Sequence, residues 1–336
     1  MSRFLVAPDS FKGTFAAAEV AEAISIGVEA GGGEADRCPV ADGGEGTMAV
    51  LLEALGGERR SARVSDPLRR PIEASFAILG DGGTAIVETA QASGLPLLAP
   101  EERDPERADT FGTGELIAAA IAAGARRVLV GVGGSATTDG GRGAIEALRE
   151  SEAAFVPCTS GGERKTSAEV RIEVLCDVRT PFEQAARVFA PQKGADPATV
   201  ERLSARLNSL ATELPRDPRG IPMTGCAGGL SGGLWAHGAE LRSGAEFVLD
   251  ALDFDRRLAR AEAVVSGEGR FDTQSLEGKI VGAIAARCAE AGKPLHLIVG
   301  ENGLSSEPVA AVSSLTTAST LEEIERAGGE IARPQP

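Results

Sequence analysis

Two hydrophobic periods alternate along the chain, and the points where one gives way to the other mark the expected elements. Residues 4–7 form a short apolar run ending at Pro8-Asp9-Ser10, and a helical spacing follows over about 15–30. Residues 34–40 read as a second strand, stopped by Ala41-Asp42-Gly43-Gly44, with a helix over 45–55. This strand–loop–helix succession is how a parallel, doubly wound sheet looks in sequence, and its loops lie where such sheets take ligands. From 58 to 90 the texture changes. Three β-rich runs at 61–64, 72–79 and 85–89 are separated only by turn signals, Asp66-Pro67 and Asp81-Gly82-Gly83, which predicts antiparallel pairing. Helices are expected at 114–123, 142–149 and 197–214, and strands at 127–132 and 170–175. A strand at 263–266, a helix at 279–291 and a strand at 295–299 restore the βαβ pattern. The polar stretch 151–169 reads as an exposed loop and 332–336 as a frayed tail. The expected organisation is an α/β domain built from both chain ends, 1–65 and 260–336, interrupted by an inserted mixed α/β domain, 66–259.

Length and charge narrow the function classes. A chain of 336 residues suits two α/β domains rather than one core. The net charge of -15, from 34 basic and 49 acidic residues, leaves no basic footprint for a nucleic acid. A small anionic substrate stays open, because local arginines and helix N-termini can hold it. The longest apolar stretch, 116–123, is too short for a membrane span, and the opening MSRFLVAPDS lacks a signal-type apolar region. Five scattered cysteines without a CxxC pair point to reduced thiols in the cytoplasm and away from zinc. With two histidines, His237 and His296, both in structural settings, and no tyrosine, acid–base chemistry falls to carboxylates or lysine.

Six segments could carry that chemistry. Asp9-Ser10-Phe11-Lys12-Gly13 follows the first strand and could hold an anion at a helix N-terminus; a plain Ser or Thr cap is the bland alternative. Asp42-Gly43-Gly44-Glu45-Gly46 follows the second, with carboxylates for a proton or a cation, or else a capping box. Two such loops on adjacent strands would converge on one crevice. The stretch from Gly131 to Gly143 (GVGGSATTDGGRG) has the form of an anion-binding nest and also fits GxGxxA. A dinucleotide site wants an acidic residue ending a second strand about twenty positions on, where this chain has a helix end, so a dehydrogenase is disfavoured. No Walker A loop occurs. Asp177 and Arg179, with Lys193 downstream, could pair a base or metal ligand with phosphate clamps, or form surface ion pairs. Gly225 to Gly233 suits close packing as well as an anion cradle. Ser266 to Ser275 alternates Glu268, Arg270 and Asp272 and reads as a functional loop.

Taken together, the strings APDSFKG, PVADGGEGT, GGSATTDGG, the CD of VLCDV, FAPQKGA, AGGLSGG and SGEGRFDTQSLEGK resemble, in order and over nearly the whole chain, the type I glycerate kinase family. The resemblance implies ATP and Mg²⁺ as co-substrates, D-glycerate as acceptor, and 2-phosphoglycerate rather than 3-phosphoglycerate as product. It also implies a flavodoxin-like doubly wound parallel-sheet domain interrupted by the inserted domain. On this basis Lys12, Asp42, Asp177 and Arg270 are the expected catalytic residues, with Asp42 or Asp177 accepting the hydroxyl proton or positioning Mg²⁺. Gly133, Gly134, Ser135, Thr137, Lys193, Gly267, Glu268 and Gly269 are expected around the nucleotide. Asp9, Ser10, Asp42 and Arg270 are expected at the glycerate, and Asp177 and Asp272 at the metal; base and metal ligand are not separated among Asp42, Asp177 and Asp272. A homodimer is compatible with this reading. The chain is shorter than is usual for the family before the VLCDV strand, after Asp177 and after Gly300. A non-catalytic sugar-acid-binding regulatory paralogue is the alternative those shortenings suggest.

Overall fold

The structure, a computed structural model, describes residues 1–151, 170–272, 275, 279–303 and 312–333. The loop expected at 151–169 lies outside these residues except for Ser151, as do residues 334–336 of the expected tail. In chain order the strands are β1 (Arg3–Val6), β2 (Glu34–Arg37), β3 (Gly57–Ser65), β4 (Pro71–Leu79), β5 (Thr84–Glu88) and β6 (Arg127–Gly131). They continue with β7 (Arg171–Cys176), β8 (Glu240–Ser243), β9 (Ala263–Phe271), β10 (Leu295–Asn302) and β11 (Ser314–Thr317). The fold is mixed α/β with two sheets dominated by parallel pairing.

The chain divides into two compact units, Met1–Asp42 with Ala245–Pro336, and Gly43–Gly244. In the first, the strand order is β11-β10-β9-β1-β2, and every pair is parallel. Val6, Val265 and Ile298 are fully buried beneath the helix Ala17–Ala30, which supplies Val20, Ile24 and Val28 at helical spacing. The helix Leu321–Ala332 packs on the same core through Ile324 and Ala327. Its start is a capping box: the Thr320 hydroxyl accepts from the Glu323 N–H, and the Glu323 carboxylate reaches back to the Thr320 N–H.

In the second unit the order is β3-β4-β5-β6-β7-β8, antiparallel across β3–β4–β5 and parallel from β5 to β8. The antiparallel part is where the texture of the chain predicts it. The core gathers Val87, Val130 and Val174 from the sheet with Leu116, Ile117 and Leu148 from the helices Phe111–Ala122 and Arg142–Glu150. A smaller cluster centres on Phe182, packed by Leu203 and Leu207 of the helix Pro197–Glu213. That helix starts where Asp196 accepts from the Thr199 N–H at 2.7 Å and proline occupies the first turn.

The structure departs from the pattern reading in three places. β3 pairs with β4 along its whole length, from Gly57 opposite Leu79 to Ser65 opposite Pro71, so residues 43–65 lie in the second unit, and the divisions fall at 42/43 and 244/245 rather than near 65 and 260. β9 does not stop at 266 but runs to Phe271, because it pairs with β10 as far as Asn302. The segment expected to be a loop is therefore strand through Phe271. Finally, the short polar strands β8 (ELRS) and β11 (SLTT) carry too little apolar signal to be seen without their partners.

Candidate active site

In the first unit, a cavity of about 430 Å³ opens where β1, β2 and β9 deliver their following residues. Asp9, Ser10 and Lys12 come from the loop after β1, Asp42 from the loop after β2, and Glu268, Gly269 and Arg270 from β9. Asp272, Lys279 and Glu301 complete its charged lining. Strand alternation puts Glu268 and Arg270 on one face, which explains why charged residues alternate in a strand ending at a cavity.

Neither loop acts as a helix cap. The helix after the first begins only at Ala17, where the Ala16 N–H is taken by Glu19 at 2.8 Å. The helix Thr47–Leu55 starts behind Gly46, and its Met48 N–H is taken at 2.8 Å by Glu88, from the end of β5. Asp42 and Glu45 are thus released from capping. Glu88 is a residue that sequence reasoning passed over; a carboxylate ending the apolar run TAIVE was the available signal.

Carboxyl groups crowd this cavity. Asp42 is 2% exposed and pairs with the Lys12 ammonium at 3.1 Å. Asp9 is buried and accepts the Ser10 N–H at 2.6 Å. Burial, reinforced by the neighbouring Asp42 charge, pushes the Asp9 carboxyl up to about 7, although Lys12 pulls the other way. Burial also raises Glu268 to about 6, against the opposing pull of the Ser275 hydroxyl and Lys279. One oxygen of Glu268, Oε1, is buried and has no hydrogen-bond partner among the described residues. The cavity therefore offers cations for an anionic ligand beside carboxyls that gain or lose a proton near neutral pH.

In the second unit, a cavity of about 350 Å³ is lined by Gly133, Gly134 and Ser135 after β6, by Asp177 after β7, and by Glu45 and Lys193. Lys193 is only 3% exposed, and its ammonium donates to Ser135 Oγ at 2.9 Å and to the Thr137 carbonyl at 2.6 Å. Burial lowers its pKa to about 7, partly offset by Asp139. Thr137 lies behind the loop, and its Oγ1 is buried without a partner among the described residues.

Asp139 holds the loop in place. It accepts from the N–H and hydroxyl of Thr110 at 3.0 and 2.7 Å, and from the N–H groups of Gly141 and Gly143 at 3.1 and 3.0 Å. Thr110 was not singled out in the sequence, since nothing local ties it to Asp139. The AGGLSGG segment lies in the helix Cys226–Ala236, whose beginning is left-handed. A Cβ on Gly228 would overlap the Thr137 carbonyl, so this segment packs against the back of the loop. Its Cys226 and Ala227 still reach the cavity wall.

The structure thus sorts the expected site residues into two sets. Asp9, Ser10, Lys12, Asp42, Glu268, Gly269, Arg270 and Asp272 line one cavity, and Gly133, Gly134, Ser135, Asp177 and Lys193 the other. Gly267 lies inside β9, where a Cβ would overlap the Ile298 carbonyl, and does not line the first cavity. Asp177 and Asp272 fall in different units. Among the described residues no three His, Cys, Asp or Glu side chains are gathered so as to hold a metal by themselves. Glu45 and Asp177 beside the Gly133–Ser135 loop are a donor set that fits Mg²⁺, which commonly binds through one or two carboxylates plus phosphate oxygens.

Both histidines are engaged structurally: His237 Nδ1 lies 2.8 Å from the Gly233 carbonyl, and His296 Nδ1 lies 2.8 Å from Ser314 Oγ. The cysteines among the described residues, Cys38, Cys176, Cys226 and Cys288, are free and buried.

Comparison with known proteins gives a consistent result. The profile of the Glycerate kinase family matches residues 4–333. The glycerate 2-kinase of Escherichia coli (strain K12) is 37% identical over 359 residues, covering 96% of this chain and 92% of the relative. The glycerate kinase of Bacillus subtilis (strain 168) is 37% identical over 335 residues, covering 91% and 87%. A crystal structure of a candidate glycerate kinase 2 from Salmonella typhimurium LT2 superposes with a TM-score of 0.79 at 34% identity, covering 98% and 97%.

Proposed function

Because this chain belongs to the glycerate kinase family, we propose that it transfers the γ-phosphoryl group of ATP to a hydroxyl of D-glycerate, giving 2-phosphoglycerate. The observation that carries this reading is the first-unit cavity, where Lys12, Arg270 and Lys279 stand beside buried carboxyls poised near neutral pH. A three-carbon hydroxy acid needs a cation for its carboxylate and a proton acceptor for its hydroxyl, and this cavity offers both. The E. coli relative is itself named a 2-kinase, which supports position 2.

Arg270 and Ser10 hold the glycerate carboxylate, and Arg270 is steadied by Asp272 at 3.8 Å. Asp42, kept in place by Lys12, accepts the hydroxyl proton as the oxygen attacks. Asp9 and Glu268, raised towards neutrality, keep the carboxyl cluster from carrying its full repulsive charge. In the second unit, Gly133 to Ser135 and Lys193 receive nucleotide phosphates, and Glu45 and Asp177 are the groups that would hold Mg²⁺. When bound, that ion supplies charge neutralisation on the phosphate oxygens. Asp177 is thereby assigned to the metal and Asp42 to the proton, each by the company it keeps.

Counted within the first unit, the strands run 2-1-3-4-5, which supports a flavodoxin-like domain interrupted by the second unit. A cytoplasmic setting accords with the buried free thiols, and no described helix is long and apolar enough to cross a membrane. No observation favours the non-catalytic or the dehydrogenase alternative.

The test is an assay of the purified protein with ATP, Mg²⁺ and D-glycerate, coupled through enolase without phosphoglycerate mutase. ADP release together with an enolase signal is expected. ADP release without that signal would move the phosphoryl group to position 3, and no ADP release from folded protein would remove the kinase reading.

A further inference from the structure

A second cavity of the 43–244 unit, about 520 Å³, is lined by Asp139 and by Arg206, which bonds the Thr138 carbonyl, and belongs to no part of the proposed chemistry. Four arginines line it: Arg69, Arg107, Arg142 and Arg206. Five carboxylates line it too, so the question is which charges are already committed. Glu106 is taken by Arg202 in a two-pronged contact at 2.9 and 2.6 Å. Asp109 and Glu146 are taken by Arg69, at 2.6 and 3.1 Å. Asp139 already accepts the four bonds described above. Glu213 is the carboxylate left without such a commitment. Against it stand two guanidinium groups, Arg107 and Arg142, with no side-chain partner among the described residues.

The cavity is also built. Arg69 holds a left-handed backbone, φ 64°, costly for a residue with a side chain, and its guanidinium stacks 3.8 Å over the Phe111 ring. Arg206 is pinned by two carbonyls, Glu106 at 2.8 Å and Thr138 at 2.7 Å. That last contact matters most, because the adjoining Thr137 carbonyl is the one held by Lys193 on the opposite side of the loop. Residues 137 and 138 are thus gripped from the nucleotide-type cavity by one cation and from the rear cavity by another.

We propose that the rear cavity is a regulatory site for a small phosphate monoester of a carboxylic acid, whose oxyanion is taken by Arg107 and Arg142. Open guanidinium forks suit phosphate and carboxylate oxygens, and the volume suits a metabolite-sized ligand. Occupancy draws charge towards the Arg206 side of the cavity and changes the hold on Thr138, and through Thr137 the position of Lys193. The ligand therefore alters nucleotide affinity without entering the nucleotide cavity.

The probe is phosphoenolpyruvate, titrated calorimetrically into the full chain with a non-hydrolysable ATP analogue and Mg²⁺ already saturating. One equivalent is expected to bind, with affinity at least about tenfold weaker in Arg107→Ala/Arg142→Ala, the scale of a lost charge-assisted contact. Analogue affinity in the wild type should shift about fivefold or more when phosphoenolpyruvate is present, and not shift in the double variant. Absence of binding, displacement of the probe by the analogue, or equal affinity in the double variant each overturns the proposal. Binding of the probe is read without turnover, so failure of the kinase reading would leave this result interpretable.

Discussion

Asp42 and Asp9 sit in the same cavity, yet they answer to different measurements. Asp42 is held by Lys12, and on the proposed role as proton acceptor Asp42→Asn should lower kcat at least about a hundredfold, the low end for loss of a general base. Turnover near the wild-type value in that variant would sink the assignment. Asp9 is best read through stability. Its carboxyl rises from 3.8 to about 7 on folding, so between those values the folded chain holds a proton that the unfolded chain has released. Its contribution to stability therefore falls as pH rises through that window and levels off above about 7. Asp9→Asn removes this dependence. The Tm of the variant relative to wild type should be higher at about pH 8 than at about pH 4.5. An identical difference at both values would mean that Asp9 titrates normally. Its neighbours in sequence do not announce this behaviour. Asp9-Ser10 looks like any loop, and only the loss of water, reinforced by the approach of Asp42 and to a lesser degree Glu268, raises the carboxyl.

At the scale of elements, the helix Cys226–Ala236 shows how a glycine-rich string misleads. AGGLSGG has the composition of an anion cradle, but its glycines face backbone and the Phe182 ring. Gly228 combines φ +66° with a Cβ direction that would overlap the Thr137 carbonyl, so Gly228→Ala must move the helix or the loop. A loss of about 1–3 kcal/mol is expected, as for overpacking and a strained backbone, seen as a lower denaturant midpoint. A midpoint unchanged from wild type would show that the two segments give way cheaply. β9 carries the opposite lesson. The string SGEGRF looks like a loop because of its glycines, yet it is strand to Phe271, where β10 supplies its partner groups. Elements with strong periodic signals, such as Ala17–Ala30 and Pro197–Glu213, were legible to within a few residues. Elements defined by pairing were not.

For the whole molecule, the division at 42/43 and 244/245 gives one unit that is continuous in the chain. Residues 43–244 have their own sheet and their own apolar core, with Val87, Val130, Val174, Leu116 and Leu148 buried together. Expressed alone, this segment should unfold cooperatively and bind an ATP analogue, while showing no turnover of glycerate. A gradual, non-cooperative melt would show that its core depends on the rest of the chain. The companion unit is joined from two distant segments, Met1–Asp42 and Ala245–Pro336. The placement of 43–65 was not legible because β3 pairs with β4 over nine residues, a tertiary fact with no local marker.

By itself, the sequence determined that this is an α/β protein, that β-rich antiparallel runs interrupt it near residue 60, and that its glycine-rich and acidic loops follow strands. Those properties follow from hydrophobic period and turn chemistry, which act over a few residues. The tertiary structure alone decided which loops share a cavity, that Asp42 and Asp177 line separate cavities, and that burial brings Asp9 up and Lys193 down to about 7. These depend on strand pairing across hundreds of residues and on exclusion of water from charged groups, and neither is written in any local stretch of the chain.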